Sequence, residues 1–256
     1  MDAPLAATDR IRTAPSPDAP LFIVINGASG QQDADATCDT LARLCQAAGR
    51  RHEFLRVAGP DPIDRVAAEA VARARADGGI VVAVGGDGTL NAVAQAVLGS
   101  GCAYAVLPQG TFNYFGRTHG IPQDLEAAMR GLLQASVVPV QVGRVNGRVF
   151  LVNASLGLYP KLLEDREAAK QEYGRSRGVA LLSGLRTLAS GARRLALDIA
   201  AGGDHRRVRT STLFVGNNAL QLARIGIDEA AVLGQGELAG LMIKPASRLA
   251  LLGLAL

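Results

Sequence analysis

Gly85-Gly86-Asp87-Gly88-Thr89 follows directly on the apolar run 80–84 and precedes an alanine-rich segment beginning at Leu90. Glycines let a backbone come close to phosphate oxygens, and the unpaired amides at the start of a following helix offer donors and positive partial charge to an anion. Thr89 stands where an N-cap hydroxyl is expected. Asp87 is then a carboxylate held among phosphate-binding amides, which suits management of a divalent metal or a proton during phosphoryl transfer. A tight strand-to-helix turn with an incidental aspartate is the competing reading of these five residues. The spacing is neither that of a P-loop, which ends in GK[ST], nor the GxGxxG of dinucleotide folds.

A second segment, Leu107-Pro108-Gln109-Gly110-Thr111-Phe112-Asn113, offers the same chemistry. Gly110 permits close approach, Thr111 supplies a hydroxyl, and Asn113 either reads a polar edge or holds the loop. A third, Asn26-Gly27-Ala28-Ser29-Gly30, is again small and polar. Each follows an apolar run, so all three are expected at the carboxyl ends of neighbouring strands, where a parallel sheet places its ligand crevice.

Such loops need a scaffold that brings them to one edge. From residue 21 to about 137, short apolar runs alternate with longer segments of 3.6-residue periodicity, the pattern of βαβ units around a parallel sheet. Strands are expected at 21–26, 53–57, 80–84 and 103–107. The third is apolar throughout, as befits a central strand covered on both faces. Helices are expected at about 35–48, 90–98 and 124–133. Another runs between Asp61-Pro62, read as N-cap and first turn, and Asp77-Gly78-Gly79. After residue 138 the pattern changes: 140–145 and 148–154 flank Asn146-Gly147, a two-residue turn that favours positive φ. Helical segments at 162–172 and 179–190 and strands at 208–215 and 238–243 follow. The fold class is therefore α/β, with a doubly wound nucleotide-binding domain over 21–137 and a second, largely antiparallel domain over 138–256.

The chain has 256 residues, 48% of them hydrophobic and 20% charged, which is enough apolar material for one large or two modest cores. Residues 1–20 are proline-rich and aperiodic, and are expected to be a disordered leader rather than a secretory signal. The protein is therefore expected in the cytoplasm. Cys38, Cys45 and Cys102 form no CxxC pair and read as buried free thiols. No apolar run reaches the roughly 20 residues that span a bilayer; 249–256 reads as the start of an amphipathic helix. Arg186, Arg193, Arg194, Arg206, Arg207 and Arg209 crowd one quarter of the chain, either as a face toward anionic headgroups or as a solvated surface.

The GGDGT segment followed by Asn91, the LPxGTxN segment at 107–113 and the stretch Asn153-Ala154-Ser155-Leu156-Gly157 together resemble the diacylglycerol kinase catalytic-domain family. The similarity runs from about Leu21 to Gly157 and more weakly to Lys244, with Phe214-Val215-Gly216-Asn217 in the place of a family strand. The resemblance implies ATP and Mg2+ as cofactors, a cleft between an α/β domain and a β-sandwich domain, and transfer of the γ-phosphoryl group to a lipid hydroxyl. By motif, Asn26, Ser29, Gly30, Gly85, Gly86, Asp87, Gly88, Thr89, Leu90, Asn91, Gly110 and Thr111 would hold nucleotide and Asn113 would support its loop. Asp87 would serve catalysis or organise metal and phosphates; other metal ligands are unassigned. The implied partner is a lipid at the inner face of a membrane, with peripheral contact, no nucleic acid, and room for a homodimer.

The sequence also departs from the family pattern. Gly27 replaces a proline, Gln141 an aspartate, and Gln235-Gly236 an Asp-Gly pair associated with magnesium, although glutamine is a weak ligand for a hard dication. Asn217-Asn218-Ala219-Leu220-Gln221 lacks the usual glycines, and a late Asp-Gly-Glu motif has no match, so the second domain is expected to be incomplete. A catalytically weak or inactive nucleotide- or lipid-binding protein is the alternative expectation, and a kinase of the NAD kinase kind a further one.

Overall fold

A computed structural model of the chain describes residues 15–26, 34–57, 62–157, 195–201, 203–224, 233 and 236–243. Four strands, β1 (Leu21–Asn26), β2 (His52–Val57), β3 (Ile80–Gly85) and β4 (Ala103–Pro108), pair in parallel in the order β2-β1-β3-β4. Every residue of β3 is buried, as its unbroken apolar run requires of a strand covered on both faces.

The covering helices are α1 (Ala34–Ala47), α2 (Ile63–Asp77), α3 (Asp87–Val97) and α5 (Leu125–Leu133); a short α4 (Tyr114–Thr118) was not foreseen. Val24, Val81 and Val106 pack on one face with Ala67, Ala70 and Val71 of α2 and Val93 and Val97 of α3. Ile23, Val82 and Leu107 pack on the other with Cys38, Leu41 and Cys45 of α1 and Met129 of α5. Alternate strand residues thus feed opposite cores, as the two-residue period dictates. The doubly wound reading holds.

Local signals fix most helix ends. Gly78 closes α2 in the left-handed conformation, φ 63°, and Asp124 caps α5 by accepting the Ala127 amide at 2.8 Å. The start of α2 differs from expectation: Pro62 is the N-cap, in extended conformation with no side-chain cap bond, and Asp61 lies outside the described residues. Part of the expected leader is ordered as well. Ala19 is buried, its carbonyl accepts Arg50 Nε at 2.7 Å, and the Pro20 carbonyl accepts the Ile80 amide at 2.8 Å. These bonds hold residues 19–20 to the sheet.

Antiparallel pairing begins at β5 (Gly143–Val145) and β6 (Arg148–Phe150), joined through Asn146 and Gly147 at φ 48° and 79°. The expected strand 148–154 is in fact two, because β7 (Asn153–Gly157) belongs to another sheet, ordered β11-β10-β7, with β10 (Thr212–Gly216) between β7 and β11 (Ala239–Ile243). The expected strand 208–215 is likewise divided, into β9 (Asp204–Thr210) and β10. Thr210 Oγ1 donates to the Thr212 carbonyl at 2.6 Å and accepts the Thr212 amide at 3.1 Å, a side-chain turn that ends one strand and starts the next. A strand not foreseen, β8 (Leu195–Ala201), pairs with β9.

The chain divides into two compact units, residues 1–152 with 217–236 and residues 153–216 with 237–256. The β5–β6 hairpin, although antiparallel, lies in the first unit with the parallel sheet, as does a short helix α6 (Ala219–Arg224). The expected helices 162–172 and 179–190 and the segment 249–256 lie outside the described residues. Among the described residues no helix is long and apolar enough to cross a membrane. Of the arginine group, Arg206 and Arg207 form exposed ion pairs with Asp204 and Asp198, while Arg186, Arg193 and Arg194 lie outside the described residues.

Candidate functional site

At the carboxyl end of β3, Gly85 adopts φ +155°, and a Cβ there would stand 2.8 Å from the Thr89 side chain. Only glycine accepts that combination of dihedral and contact without strain. Gly86 is the N-cap of α3, which has no side-chain cap bond, and Asp87, Gly88 and Thr89 are its first three residues. Thr89 is therefore not the cap that the sequence suggested. It is buried within the first turn, and its Oγ1 accepts Asn26 Nδ2 at 3.3 Å, which fastens the end of β1 to the start of α3. Gly88 is exposed, with open space where a Cβ would project.

The loop after β4 is bound to this turn. Sheet pairing continues to Gly85 opposite Pro108, and the Gln109 amide donates to the Gly85 carbonyl at 2.8 Å. A Cβ on Gly110 would lie 2.6 Å from the Gly86 Cα and 2.8 Å from Asn113 Oδ1. Gly86 and Gly110 thus meet backbone to backbone, and the two glycine loops form one ledge. Asn113, 5% exposed and at φ +50°, accepts the Gly110 amide at 2.7 Å and donates to Gln123 Oε1 at 2.8 Å. It holds the loop, as one of its two sequence readings proposed. Thr111 is exposed at the ledge, beside Phe112.

Asp87 has a partner the sequence did not reveal. Its Oδ2 accepts the Tyr114 amide and its Oδ1 the Phe115 amide, each at 3.2 Å, so one carboxylate caps the start of α4. The negative charge meets the positive end of that helix turn. Gly116 packs on Pro108, a Cβ there standing 3.0 Å from the ring, and this sets α4 against the end of β4. Signals for α4 were weak, because five residues of mixed polarity carry no periodicity.

Two expected nucleotide residues face elsewhere. The Leu90 side chain is fully buried in the core, and its carbonyl accepts the Tyr104 hydroxyl at 2.7 Å. Asn91 donates to the Val149 carbonyl at 3.0 Å and accepts the Leu151 amide at 2.9 Å. Gln95, one turn on, accepts the Val149 amide at 2.7 Å and donates to the Gly147 carbonyl at 3.5 Å. Side-chain amides at i and i+4 therefore take the place of a neighbouring strand along the edge of β6. Asn91 is a joint between α3 and the hairpin. Ser29 and Gly30 lie outside the described residues.

A second polar cluster lies where the resemblance places acidic residues. Gln141 donates through Nε2 to Asn217 Oδ1 at 2.8 Å, and its Oε1 accepts the Gly236 amide at 2.9 Å. Asn217 Nδ2 in turn donates to the carbonyls of Gln141 and Leu151, at 3.0 and 3.1 Å. Next to it, buried Asn218 caps α6 by accepting the Gln221 amide at 3.0 Å and donates to the Tyr114 carbonyl at 3.1 Å. Gln235 lies outside the described residues. Among the described residues, no cluster of three or more His, Cys, Asp or Glu could hold a metal.

The ledge thus offers an anion the amides of a helix start with no side-chain cap, among glycines of two loops that admit close approach. That donor set fits phosphate. It fits magnesium only in the manner of sites where one carboxylate and the phosphates of the ligand share the ion.

Residues 20–145 match the sequence profile of the diacylglycerol kinase catalytic domain. A protein of Klebsiella pneumoniae (strain 342) named probable lipid kinase YegS-like is 43% identical over 79 residues, 30% of this chain and 27% of that protein. Another of that name, from Pseudomonas aeruginosa (strain PAO1), is 43% identical over 100 residues, 38% of this chain and 32% of its own. The chain thus spans 27% and 32% of these two curated relatives. Two structures from Bacillus anthracis strain Sterne, described as a diacylglycerol kinase and a putative diacylglycerol kinase, superpose with TM-scores of 0.63 and 0.64. They cover 92% and 93% of this chain and 78% and 79% of their own, at 22% and 20% identity, a likeness of fold.

Proposed function

We propose that this chain, whose residues 20–145 are of the diacylglycerol kinase catalytic type, is an ATP-dependent lipid kinase that phosphorylates a lipid hydroxyl at a membrane surface. The observation that carries the reading is the single ledge made where Gly86 meets Gly110, beside the uncapped start of α3. When bound there with magnesium, ATP supplies the γ-phosphoryl group. Phosphoryl transfer asks a protein chiefly for positioning and for donors that face the developing charge. The amides of α3's first turn are placed for the phosphates, and Gly110, without a side chain, leaves them room beside Gly86. Asn113 fixes the second loop and Asn26 steadies the first through Thr89. Each Asp87 oxygen accepts one amide and retains lone-pair capacity, so this carboxylate can share a magnesium ion or orient the acceptor hydroxyl.

The protein is expected to meet its lipid from the inner face of the membrane as a peripheral protein. A second reading, a nucleotide-binding member without turnover, is favoured by Gln141, whose neutral amide is engaged with Asn217 and Gly236 where the resemblance places an acid. The test is incubation with γ-labelled ATP, magnesium and vesicles that present diacylglycerol, a sphingoid base, phosphatidylglycerol or a polyprenol. Label in the organic phase with one of them supports the kinase. ATP binding with no labelled lipid supports the second reading, and absence of both contradicts each.

A further inference from the structure

Asp87 is held by the Tyr114 and Phe115 amides, and these belong to a helix too short to hold itself. α4 has five residues, little more than the costly first turn, and its N-cap Asn113 makes no side-chain cap bond. Its position comes from outside. Phe115 is buried in the core, Gly116 rests on Pro108, and Asn218 binds both ends of the helix. Asn218 Nδ2 donates to the Tyr114 carbonyl at 3.1 Å and to the Thr118 hydroxyl at 2.9 Å, while its Oδ1 accepts the Gln221 amide at 3.0 Å. These partners fix which way the side-chain amide is turned, since a backbone carbonyl demands the nitrogen and a backbone N–H the oxygen.

The Tyr114 carbonyl and the Phe115 N–H are the two ends of one planar peptide group. A continuous run of hydrogen bonds therefore passes from Asn218 Nδ2 into that carbonyl and out through the Phe115 amide to Asp87 Oδ1, the last at 3.2 Å. A donor on the carbonyl polarises the peptide and strengthens its N–H toward the carboxylate. It also fixes the rotation of the peptide plane. Asn218 is 1% exposed, so water does not compete for these bonds. We propose that Asn218 is a positioning residue for Asp87, acting through the Tyr114–Phe115 peptide to set the direction in which the carboxylate's remaining lone pairs face. The proposal rests on the reading of Asp87 as a carboxylate that serves phosphoryl transfer. Its effect falls on turnover rather than on ATP affinity, because the phosphates are held by the first turn of α3.

Asn218→Asp keeps an oxygen for the Gln221 amide and has no donor for the Tyr114 carbonyl. Asn218→Ser, a neutral cap for α6, also withdraws that donor, so the two variants separate its loss from the charge that aspartate brings. Thr118→Val removes only the second Nδ2 bond. The amide NMR spectrum of the full chain is recorded for each, together with transfer from γ-labelled ATP and magnesium to vesicles of each lipid named above. In both Asn218 variants the Phe115 amide proton is expected to move upfield, while the Ala127 amide of α5 stays in place. Their kcat is expected about tenfold below the wild type, with the KM for ATP within about twofold. Thr118→Val is expected to match the wild type in both respects. A Phe115 amide that stays in place in either Asn218 variant that folds overturns the proposal. So does one that moves equally in Thr118→Val, which would make Asn218 a clamp on the whole helix. An unchanged kcat, or one that falls only as the folded fraction falls, assigns Asn218 to stability alone. If the wild type labels no lipid, the kinase reading fails, and the Phe115 amide still decides the positioning.

Discussion

At the residue scale, Asp87 joins two roles that sequence reading treats separately. Its position in the glycine loop suggests chemistry, and its bonds to the Tyr114 and Phe115 amides make it the cap of α4. Asp87→Asn keeps the shape but turns one acceptor into a donor that faces an amide N–H. It is expected to lose about 1–3 kcal/mol of stability by chemical denaturation, together with any transfer activity. Stability unchanged to within about 0.5 kcal/mol would mean that the carboxylate serves ligand alone. Cys45 shows burial acting on a titratable group: desolvation raises its thiol from 9.0 to about 11. The unfolded thiol ionises first as pH rises, so the stability this group contributes is present below pH 9.0 and declines toward about pH 11. Cys45→Ala should flatten that limb of a pH–stability profile, and an unchanged slope would assign the decline to other groups.

At the scale of elements, the parallel sheet was legible because each strand is a short apolar run and each covering helix an amphipathic stretch. Observed strand bounds of 21–26, 52–57, 80–85 and 103–108 differ from the reading by at most one residue at an end. What escaped the sequence was made by polar side chains acting at a distance. Nothing in Tyr114-Phe115-Gly116-Arg117-Thr118 announces a helix, since its cap lies 27 residues upstream at Asp87. Nothing near residues 151–152 announces a break, since the edge of that strand is taken by Asn91 and Asn217. The glycines of the ledge were legible as permissive loops, but the contact between Gly86 and Gly110 required the sheet register that pairs Gly85 with Pro108. Asn91 was read as a nucleotide ligand because it follows the motif, whereas the fold turns it toward β6. Asn91→Ala leaves the Val149 carbonyl and Leu151 amide without it and is expected to cost about 2–3 kcal/mol. Paired with Gln95→Ala, it should show coupling above about 0.5 kcal/mol in a double-mutant cycle, and strict additivity would contradict a shared ladder.

At the scale of the molecule, the chain leaves its first unit after residue 152, returns for 217–236 and leaves again. Both ends of that return are tied to Gln141, through Asn217 and Gly236. Gln141→Ala is expected to speed amide exchange at Gly236 and at the α6 start while leaving the parallel sheet protected; unchanged exchange at Gly236 would mean the return is held by other contacts. The central claim, however, is that two glycine loops form one phosphate-binding ledge. Its most direct test is titration of ATP with magnesium into the wild type and into Gly110→Ala, whose Cβ would meet the Gly86 Cα at 2.6 Å, with the parallel fold checked by circular dichroism. ATP is predicted to bind the wild type and to bind the variant at least about tenfold more weakly, a loss of roughly 1.4 kcal/mol, with the fold retained. Equal affinity in the two proteins, or no binding to the wild type, would contradict the account.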